Sequence, residues 1–279
     1  MYGSLLANVS SDRKIKETIE QFPQHTQAYY LENKPVGLMT CWQNAFHPYS
    51  LNFAGYLEPR LTSVEQIKAY EQILTDLTAK AQKNHQNALI TYDYAPQLLF
   101  NAIGQKNGFK LIRTTVEPQM PLKRALKNIL IDTDLQMVTL HEIKKDSVIM
   151  NRLVQVSFSD YQKNHLANPV AKIPLSEWSK TIFTDQLEHA PLALIAAGQI
   201  KAYCFSFEDT PQQLTLGWMG AVKPNLLDQL QQQLLNWAQA KYQTLSGEFD
   251  STDPLATRTY RKYAFNLCPV YETYLKELN

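Results

Sequence analysis

Two stretches of the chain repeat the same order of apolar and polar positions. Near residue 30 and near residue 200, two apolar runs flank a short polar turn, Glu32-Asn33-Lys34 in the first stretch and Gly198-Gln199 in the second. Apolar runs around a tight turn predict a β-hairpin in each stretch. A further apolar strand follows in both and ends in the spacing Gly-x-x-x-Pro, from Gly55 to Pro59 and from Gly220 to Pro224.

Amphipathic helices are predicted after these strands, over residues 63–84 and 225–242, because apolar residues recur there at three-and-four spacing. The first helix has two possible capping boxes, Thr62 with Glu65 and Ser63 with Gln66, and the second has Asn225 as a possible N-cap. The predicted buried stripes are Ile67, Tyr70, Leu74, Leu77 and Ala81 in the first helix and Leu227, Leu230, Leu234 and Ala238 in the second.

Each repeat continues with a strand and a second helix. The strands are predicted over 88–92 and 245–249, and the helices that follow open at Pro96 and at Asp253-Pro254. Proline is favoured in the first helical turn because the N–H that it lacks has no helical partner there. We therefore interpret the chain as two copies of one α/β unit, layered in the α+β sense.

The copies differ in what precedes the hairpin. The second has a strand over 136–143 and helices over 148–165 and 175–186, whereas the first has only a helix over 12–22. We therefore predict an abbreviated domain over 1–120, a linker over 121–133 and a complete domain over 134–279. Pro118 just before the linker, Pro121 at its start and a Lys/Arg run interrupt the periodic pattern.

Composition narrows the range of functions. The 279 residues are 44% hydrophobic, and 27 Lys and Arg nearly balance 26 Asp and Glu to a net charge of +1, which argues against a nucleic-acid partner. The three cysteines form no Cys-x-x-Cys pair, which favours a reducing, cytoplasmic location. No run of eighteen apolar residues predicts a membrane span, and the six histidines lack the spacing of a metal site.

The final predicted helix carries a recognisable motif. It reads Asp253-x-x-Ala256-x-x-x-Tyr260-x-x-x-Ala264-Phe265. The GNAT N-acetyltransferase superfamily commonly shows Asn-x-x-Ala-x-x-x-Tyr-x-x-x-Gly-Phe in this helix, and it has the same order of strands and helices. The chain thus resembles a tandem pair of GNAT domains. The resemblance implies a mixed, mostly antiparallel sheet flanked by helices in each domain.

The resemblance also implies roles for individual residues. Tyr260 corresponds to the tyrosine that protonates the leaving thiolate of CoA, and Asp253 and Ala256 belong to the same CoA-binding motif. Gly104 stands at the equivalent position of the first copy, so the second domain is predicted to be the active one. The fourth strand is expected to bind the pantetheine arm through the backbone of Trp218, Met219, Gly220, Ala221 and Val222.

A general base would accept the proton of the acceptor amine. Glu248 is the preferred candidate because strand alternation can point it toward the cleft, with Asp250, Glu208, Asp209 and His189 as further candidates. A purely structural role stays open for both predicted catalytic residues. Glu248 is then a solvated carboxylate at a strand edge, and Tyr260 is a ring packed between helix and sheet.

The loop that binds the CoA pyrophosphate in the family does not match. The family reads Arg/Gln-x-x-Gly-x-Gly/Ala, where glycines let backbone N–H groups approach the phosphates. This chain has Leu-Asp-Gln-Leu-Gln-Gln over 227–232 and Arg-Leu-Thr-Ser-Val-Glu over 60–65, with no glycine in either. Arg258, Arg261 and Lys262 on the last helix are candidates for contact with the 3′-phosphate.

The resulting hypothesis is acetyl transfer from acetyl-CoA to the amine of a small molecule or peptide, by direct attack in a ternary complex and without a metal. The glycine-free loops support an alternative, a catalytically inactive GNAT-like module that senses a ligand or binds a protein. A third possibility is a related tandem transferase that uses a charged tRNA or another activated donor. The sequence does not define the oligomeric state.

Overall fold

The computed structural model describes residues 14–125 and 134–278, together with Leu5 and Val9. The predicted linker over 121–133 lies mostly outside the described residues. The helices and strands in chain order are α1 (Lys14–Gln21), β1 (Thr26–Leu31), β2 (Lys34–Trp42), β3 (Ser50–Leu57), α2 (Ser63–Lys83), β4 (Ala88–Tyr94), α3 (Leu99–Lys106), β5 (Lys110–Val116), β6 (Gln119–Pro121), β7 (Gln136–Thr139), α4 (Leu140–Ile143), α5 (Ser147–Asn164), α6 (Leu175–Phe183), β8 (Pro191–Ala196), β9 (Gln199–Thr210), β10 (Gln213–Ala221), α7 (Pro224–Ala238), β11 (Thr244–Gly247), β12 (Phe249–Asp250), α8 (Pro254–Lys262) and β13 (Val270–Glu277).

The chain forms two compact units that are not contiguous in sequence. Unit 1 comprises Met1–Thr115, Ala167–Ala171 and Pro269–Asn279, and unit 2 comprises Val116–Leu166 and Lys172–Cys268. The final strand of the chain therefore belongs to unit 1. The division into sequence domains over 1–120 and 134–279 stays a prediction.

In unit 1, the strands are hydrogen-bonded in the order β1-β2-β3-β4-β13-β5. Strands β3 and β4 are parallel, and β13 runs antiparallel to β4 along its whole length, from Tyr271 opposite Tyr94 to Glu277 opposite Ala88. Tyr274 of β13 is buried in the core that helix α2 covers. This burial of an aromatic side chain stabilises β13 as an internal strand of this sheet.

Helix α2 begins at the predicted capping box of Thr62 and Glu65, so the alternative pair of Ser63 and Gln66 is not used. Its buried face consists of Ala69, Tyr70, Ile73, Leu77 and Ala81. The prediction for Ile67 was wrong, because its side chain is 42% exposed.

In unit 2, the strand order is β6-β11-β10-β9-β8-β7, with β10 and β11 parallel and the other neighbours antiparallel. Helix α7 buries the predicted leucine stripe against one face of this sheet. Helices α5 and α6 contact the other face, since Tyr203 and Phe205 meet their side chains whereas Cys204 between them joins the α7 side.

Both hairpins form where the sequence predicts them. Glu32 and Asn33 connect β1 to β2, and Ala197 and Gly198 connect β8 to β9, all with φ between 48° and 68°. Two consecutive residues with positive φ give the turn whose twist matches that of the flanking strands. The second turn lies one residue earlier than the predicted Gly198-Gln199.

Several element boundaries differ from the prediction. The strand predicted over 136–143 ends at Thr139, where a capping box with Glu142 starts helix α4. Helix α7 begins at Pro224 with Lys223 as its N-cap, so Asn225 is not the N-cap. Helix α3 begins at Leu99 with Leu98 as its N-cap, three residues beyond the predicted opening at Pro96. No helix of the described ranges is long and apolar enough to cross a membrane.

Candidate functional site

Strand β10 separates from β11 part-way along its length. Their parallel pairing runs from Gln213 opposite Thr244 to Leu216 opposite Gly247, and β10 then continues alone on that edge to Ala221. On its other edge, β10 pairs with β9 as far as Ala221, but the register shifts between Leu216 and Met219. Such a bulge leaves an extra residue out of the hydrogen-bond ladder. The backbone near Trp218 therefore lies outside the regular strand pairing on both edges of β10.

Packed aromatic side chains hold the bulge in place. A Cβ on Gly217 would lie 2.3 Å from the ring of Phe207, so the bulge has no room for a side chain at this position. The half-buried indole of Trp218 lies 5.5 Å from that of Trp178, centroid to centroid. Trp178 is 1% exposed and donates its Nε1–H to Ser157 Oγ at 3.0 Å. The predicted site residue Trp218 thus packs against a tryptophan that is held by burial and by a hydrogen bond.

The remaining predicted residues of β10 differ in what they contact. The Sδ of Met219 lies 3.3 Å from Thr259 Oγ1, on the side of helices α7 and α8. Gly220 lies under the ring of Tyr203, so close that a Cβ on this residue would be 2.3 Å from the ring. Ala221 ends the strand half-buried, and Val222 beyond it is 64% exposed.

Tyr260 lies on helix α8 and packs against two aromatic rings of unit 2. Its ring is half-buried and stacks on Phe265 with an interplanar angle of 23°. It also packs 5.8 Å from the ring of Phe249 on β12, the short strand that follows β11 in the chain. The neighbouring Thr259 contacts Met219 of β10. The Tyr260 ring therefore packs on β12, and the residue that precedes it contacts β10.

Asp253 and Ala256 form the start of helix α8. The carboxylate of Asp253 accepts hydrogen bonds from the backbone N–H groups of Leu255 at 2.8 Å and Ala256 at 3.1 Å. Burial raises the pKa of Asp253, and these two hydrogen bonds offset the effect only in part. The Asp250 and Asp160 carboxylates raise it further.

We expect Asp253→Asn to increase the free energy of unfolding at neutral pH. Asparagine is an equally good N-cap and cannot ionise. Because the folded-state pKa of Asp253 lies above its ordinary value of 3.8, its contribution to stability falls as the pH rises from that value through the folded-state pKa. The difference in the free energy of unfolding between Asp253→Asn and the wild type should thus grow as the pH rises through the folded-state pKa of Asp253, and stay constant at higher pH.

Urea denaturation between pH 3 and pH 8 measures this difference. Asp146→Asn, at the exposed N-cap of helix α5, is the matched control, because it makes the same substitution at the same helix position. An Asp253→Asn difference that is independent of pH would show that burial of the carboxylate has no energetic effect.

The candidate bases do not gather at one place. Glu248 is exposed between β11 and β12, and Asp250 is half-buried in β12. Glu208 binds Lys241 and accepts a hydrogen bond from Tyr242 at 2.7 Å, and these two contacts lower its pKa. Asp209 accepts a hydrogen bond from Gln213. These last two carboxylates lie at the Gln213 end of β10, away from the bulge. His189 lies beside His141, with ring centroids 5.1 Å apart.

The start of helix α7 does not fit the diphosphate of CoA. The segment 227–232, which corresponds to the family's phosphate loop, is helical throughout. From Asp228 onward each N–H lies within reach of the carbonyl four residues earlier in the helix, so these groups do not point at a ligand. Leu230 and Gln232 occupy the glycine positions and are fully buried.

Acidic side chains reinforce this mismatch. Asp228 binds Arg258 at 2.5 Å and Lys262 at 3.2 Å. Burial alone would raise the pKa of Asp228, but these two cations outweigh it and lower the pKa, so the carboxylate is charged. Two of the three cations predicted to contact the 3′-phosphate are therefore engaged within the protein.

Unit 1 repeats the geometry without the chemistry. The pairing of β3 with β4 ends at Asn52 opposite Ile90, although β3 continues to Leu57. Gly104 stands where the resemblance between the two copies predicts the counterpart of Tyr260. At the start of helix α2, Glu65 accepts the Thr62 N–H at 2.7 Å, and the buried Glu58 binds Arg60 at 2.8 Å. A diphosphate does not fit here either.

The sequence did not indicate two polar contacts of unit 2. Tyr203 donates a hydrogen bond to Asp160 at 3.0 Å across 43 residues of sequence. Gln231, with no exposed surface, donates to Thr259 at 2.9 Å beneath Met219. Only three-dimensional packing brings these residues together. Among the described residues, no group of three or more His, Cys, Asp or Glu side chains is arranged to hold a metal ion.

Comparison with solved structures identifies the fold. A GCN5-related N-acetyltransferase from Sphaerobacter thermophilus matches with a TM-score of 0.59 and 11% identity, over 94% of this chain and 85% of that one. A tandem GNAT protein from the clavulanic acid biosynthesis pathway matches with a TM-score of 0.50 and 8% identity, over 91% and 83% of the two chains. A functionally unknown conserved protein from Staphylococcus epidermidis matches with a TM-score of 0.52 and 10% identity, over 95% and 100%.

No family model and no curated protein matches the sequence. At these identities the likeness establishes the fold alone. The predicted tandem GNAT-like architecture, with mixed and mostly antiparallel sheets flanked by helices, is confirmed.

Proposed function

With the tandem GNAT-like fold as the premise, we propose that unit 2 is an N-acyltransferase. It transfers an acyl group, acetyl in the simplest case, from a pantetheine thioester such as acetyl-CoA to the amine of a small molecule or peptide. One observation carries the proposal: β10 separates from β11 after Leu216, at the same place where the bulge releases it from β9. The three cysteines are free thiols, which supports activity in the reducing cytoplasm.

The open edge of β10 offers a binding surface for the donor. An extended pantetheine arm pairs with an exposed strand edge through its two amides, as an added strand would. In this proposal the arm lies along Met219, Gly220 and Ala221. The backbone N–H groups released by the bulge at Trp218 face the thioester carbonyl, where they stabilise the negative charge that develops on its oxygen.

The reaction is a direct attack by the acceptor. The amine nitrogen forms a C–N bond with the carbonyl carbon, and the C–S bond breaks. The sulfur takes the proton of the Tyr260 hydroxyl, and the amine releases one proton to water or, through water, to Glu248 or Asp250. Tyr260 regains a proton from solvent, so the products are an amide and a free thiol.

The surroundings of β10 support an amine as acceptor. Asp160 accepts a hydrogen bond from Tyr203, whose ring covers Gly220. Burial and the Asp160 carboxylate raise the pKa of Tyr203, and the Asp253 carboxylate raises it further. Carboxylates near an apolar aromatic wall attract an ammonium group. No acyl-enzyme is required: Cys204 is fully buried, and burial raises its pKa to about 12.

The test uses the full chain with acetyl-CoA and S-acetyl-pantetheine against a panel of primary amines and lysine-containing peptides. We expect free thiol and acetylated amine in equal amounts, with the product identified by mass spectrometry. Hydrolysis without amide formation, or no consumption of either thioester, would contradict acyl transfer. It would favour the inactive ligand-sensing or protein-binding module.

A further inference from the structure

We infer that unit 2 recognises its donor through the pantetheine thioester alone, and not through the adenosine nucleotide of CoA. This inference rests on the proposed acyl transfer and specifies its donor class. The donor is an acyl group on a pantetheine arm whose far end need not be a nucleotide. Free pantetheine and the phosphopantetheine arm of a carrier protein share this chemistry.

The first reason is the supply of backbone donors at the start of α7. Pro224 has no N–H, so only Asn225, Leu226 and Leu227 precede the part of the helix in which each N–H bonds four residues back. The Leu226 N–H already donates to the Lys223 carbonyl at 3.0 Å. A diphosphate that lies along 227–232 therefore meets a closed helix turn and not a ring of N–H groups.

The second reason is charge. The side chain of Asp228 is 18% exposed and holds Arg258 and Lys262, whose exposed fractions are 48% and 15%. A phosphate in this place must displace a carboxylate from both cations or lie next to it. Either arrangement opposes binding, because like charges at close range repel.

The third reason is that unit 1 shows the same substitution by different residues. Its helix start is capped by Glu65, and the buried Glu58 lies beside Arg60. Both units thus keep a separated pair of strands but place their own carboxylates where a diphosphate would bind. At both helix starts, which lie within the described residues, the chain's own carboxylates therefore oppose a diphosphate.

The pantetheine end of the site, in contrast, is retained. Unit 2 keeps the free edge of β10, the bulge at Gly217 and Trp218, and the Tyr260 ring beside β12.

The kinetic test compares acetyl-CoA, S-acetyl-pantetheine and an acetyl-loaded acyl carrier protein with one acceptor. We expect kcat/KM for acetyl-CoA to be within about tenfold of that for S-acetyl-pantetheine, because each charge-assisted hydrogen bond to a held phosphate adds about tenfold or more. A larger preference for acetyl-CoA would overturn the inference. A preference for the carrier over S-acetyl-pantetheine would identify the carrier as the source of the arm, and equal rates would identify free thioesters.

A binding measurement tests the inference without turnover. Calorimetric titration should give similar Kd values for CoA and pantetheine, and adenosine 3′,5′-diphosphate should not compete with either. Competition by that nucleotide would overturn the inference. If no thioester is consumed but pantetheine and CoA still bind equally, acyl transfer fails while the recognition holds. If neither binds, both fail.

Asp228→Asn provides the matched gain of function. It frees Arg258 and Lys262, so the affinity for CoA relative to pantetheine should rise by about tenfold. Glu188→Gln is the control, because Glu188 also holds a lysine of unit 2 but lies in the loop before β8, where its carbonyl accepts the N–H of His141 on helix α4. An equal change in both variants would contradict the role given to Asp228.

Discussion

Tyr260→Phe is expected to lower kcat for acyl transfer by about 100-fold to 10,000-fold, the range for loss of a positioned general acid. The thiolate must otherwise leave without a proton. The substitution keeps the ring, and with it the packing on Phe249 and Phe265 at 5.8 and 6.0 Å. Stability and donor affinity should therefore be unchanged, so the loss appears in kcat and not in KM.

Kinetics over a range of pH, with circular dichroism and donor titration on the same protein, measure this effect. Tyr49→Phe, a 37% exposed tyrosine of unit 1, is the control and should keep full activity. An unchanged kcat in Tyr260→Phe would show that the ring only packs between helix and sheet.

Trp178→Ala should lower the free energy of unfolding by about 3–5 kcal/mol, the usual cost of removing a large buried aromatic side chain. Trp178 is 1% exposed and packs against Phe158, Tyr161 and Trp218 with ring centroids 4.8 to 5.5 Å apart. The substitution also removes the donor for Ser157. Because Trp218 lies on the bulge of β10, activity should fall with stability.

Chemical denaturation followed by far-ultraviolet circular dichroism measures the loss. Trp237→Ala is the matched control, since Trp237 on helix α7 is 38% exposed and its removal should cost about 1 kcal/mol or less. Similar losses in both variants would mean that the aromatic cluster under the bulge does not contribute more than its exposed counterpart.

The order of elements and most helix positions follow from the sequence because their signals are local. The Thr62 capping box, the Asp253 cap and the two hairpin turns each depend on residues within a few positions of one another. The leucine stripe of α7 is fixed by a 3.6-residue period. The resemblance at Tyr260 likewise depends on spacing along one helix.

Other features depend on partners far away in sequence. Strand β13 pairs with β4 and β6 with β11, a choice that an alternating pattern does not specify because it fits the edge of either sheet. Asp228 was visible in the sequence as a residue of the wrong sign, but its hold on Arg258 and Lys262 was not, since 30 and 34 residues separate them.

The sequence by itself determined the two α/β repeats, the amphipathic helices and the position of Tyr260, because periodicity, caps and turns act over short distances. Only the tertiary structure decided the exchange of β13 into unit 1, the separation of β10 from β11 and the closure of the diphosphate position by Asp228. These features arise from strand pairing and charge contacts between segments that are far apart in the sequence. Local sequence patterns do not specify such contacts, which form only when the chain folds.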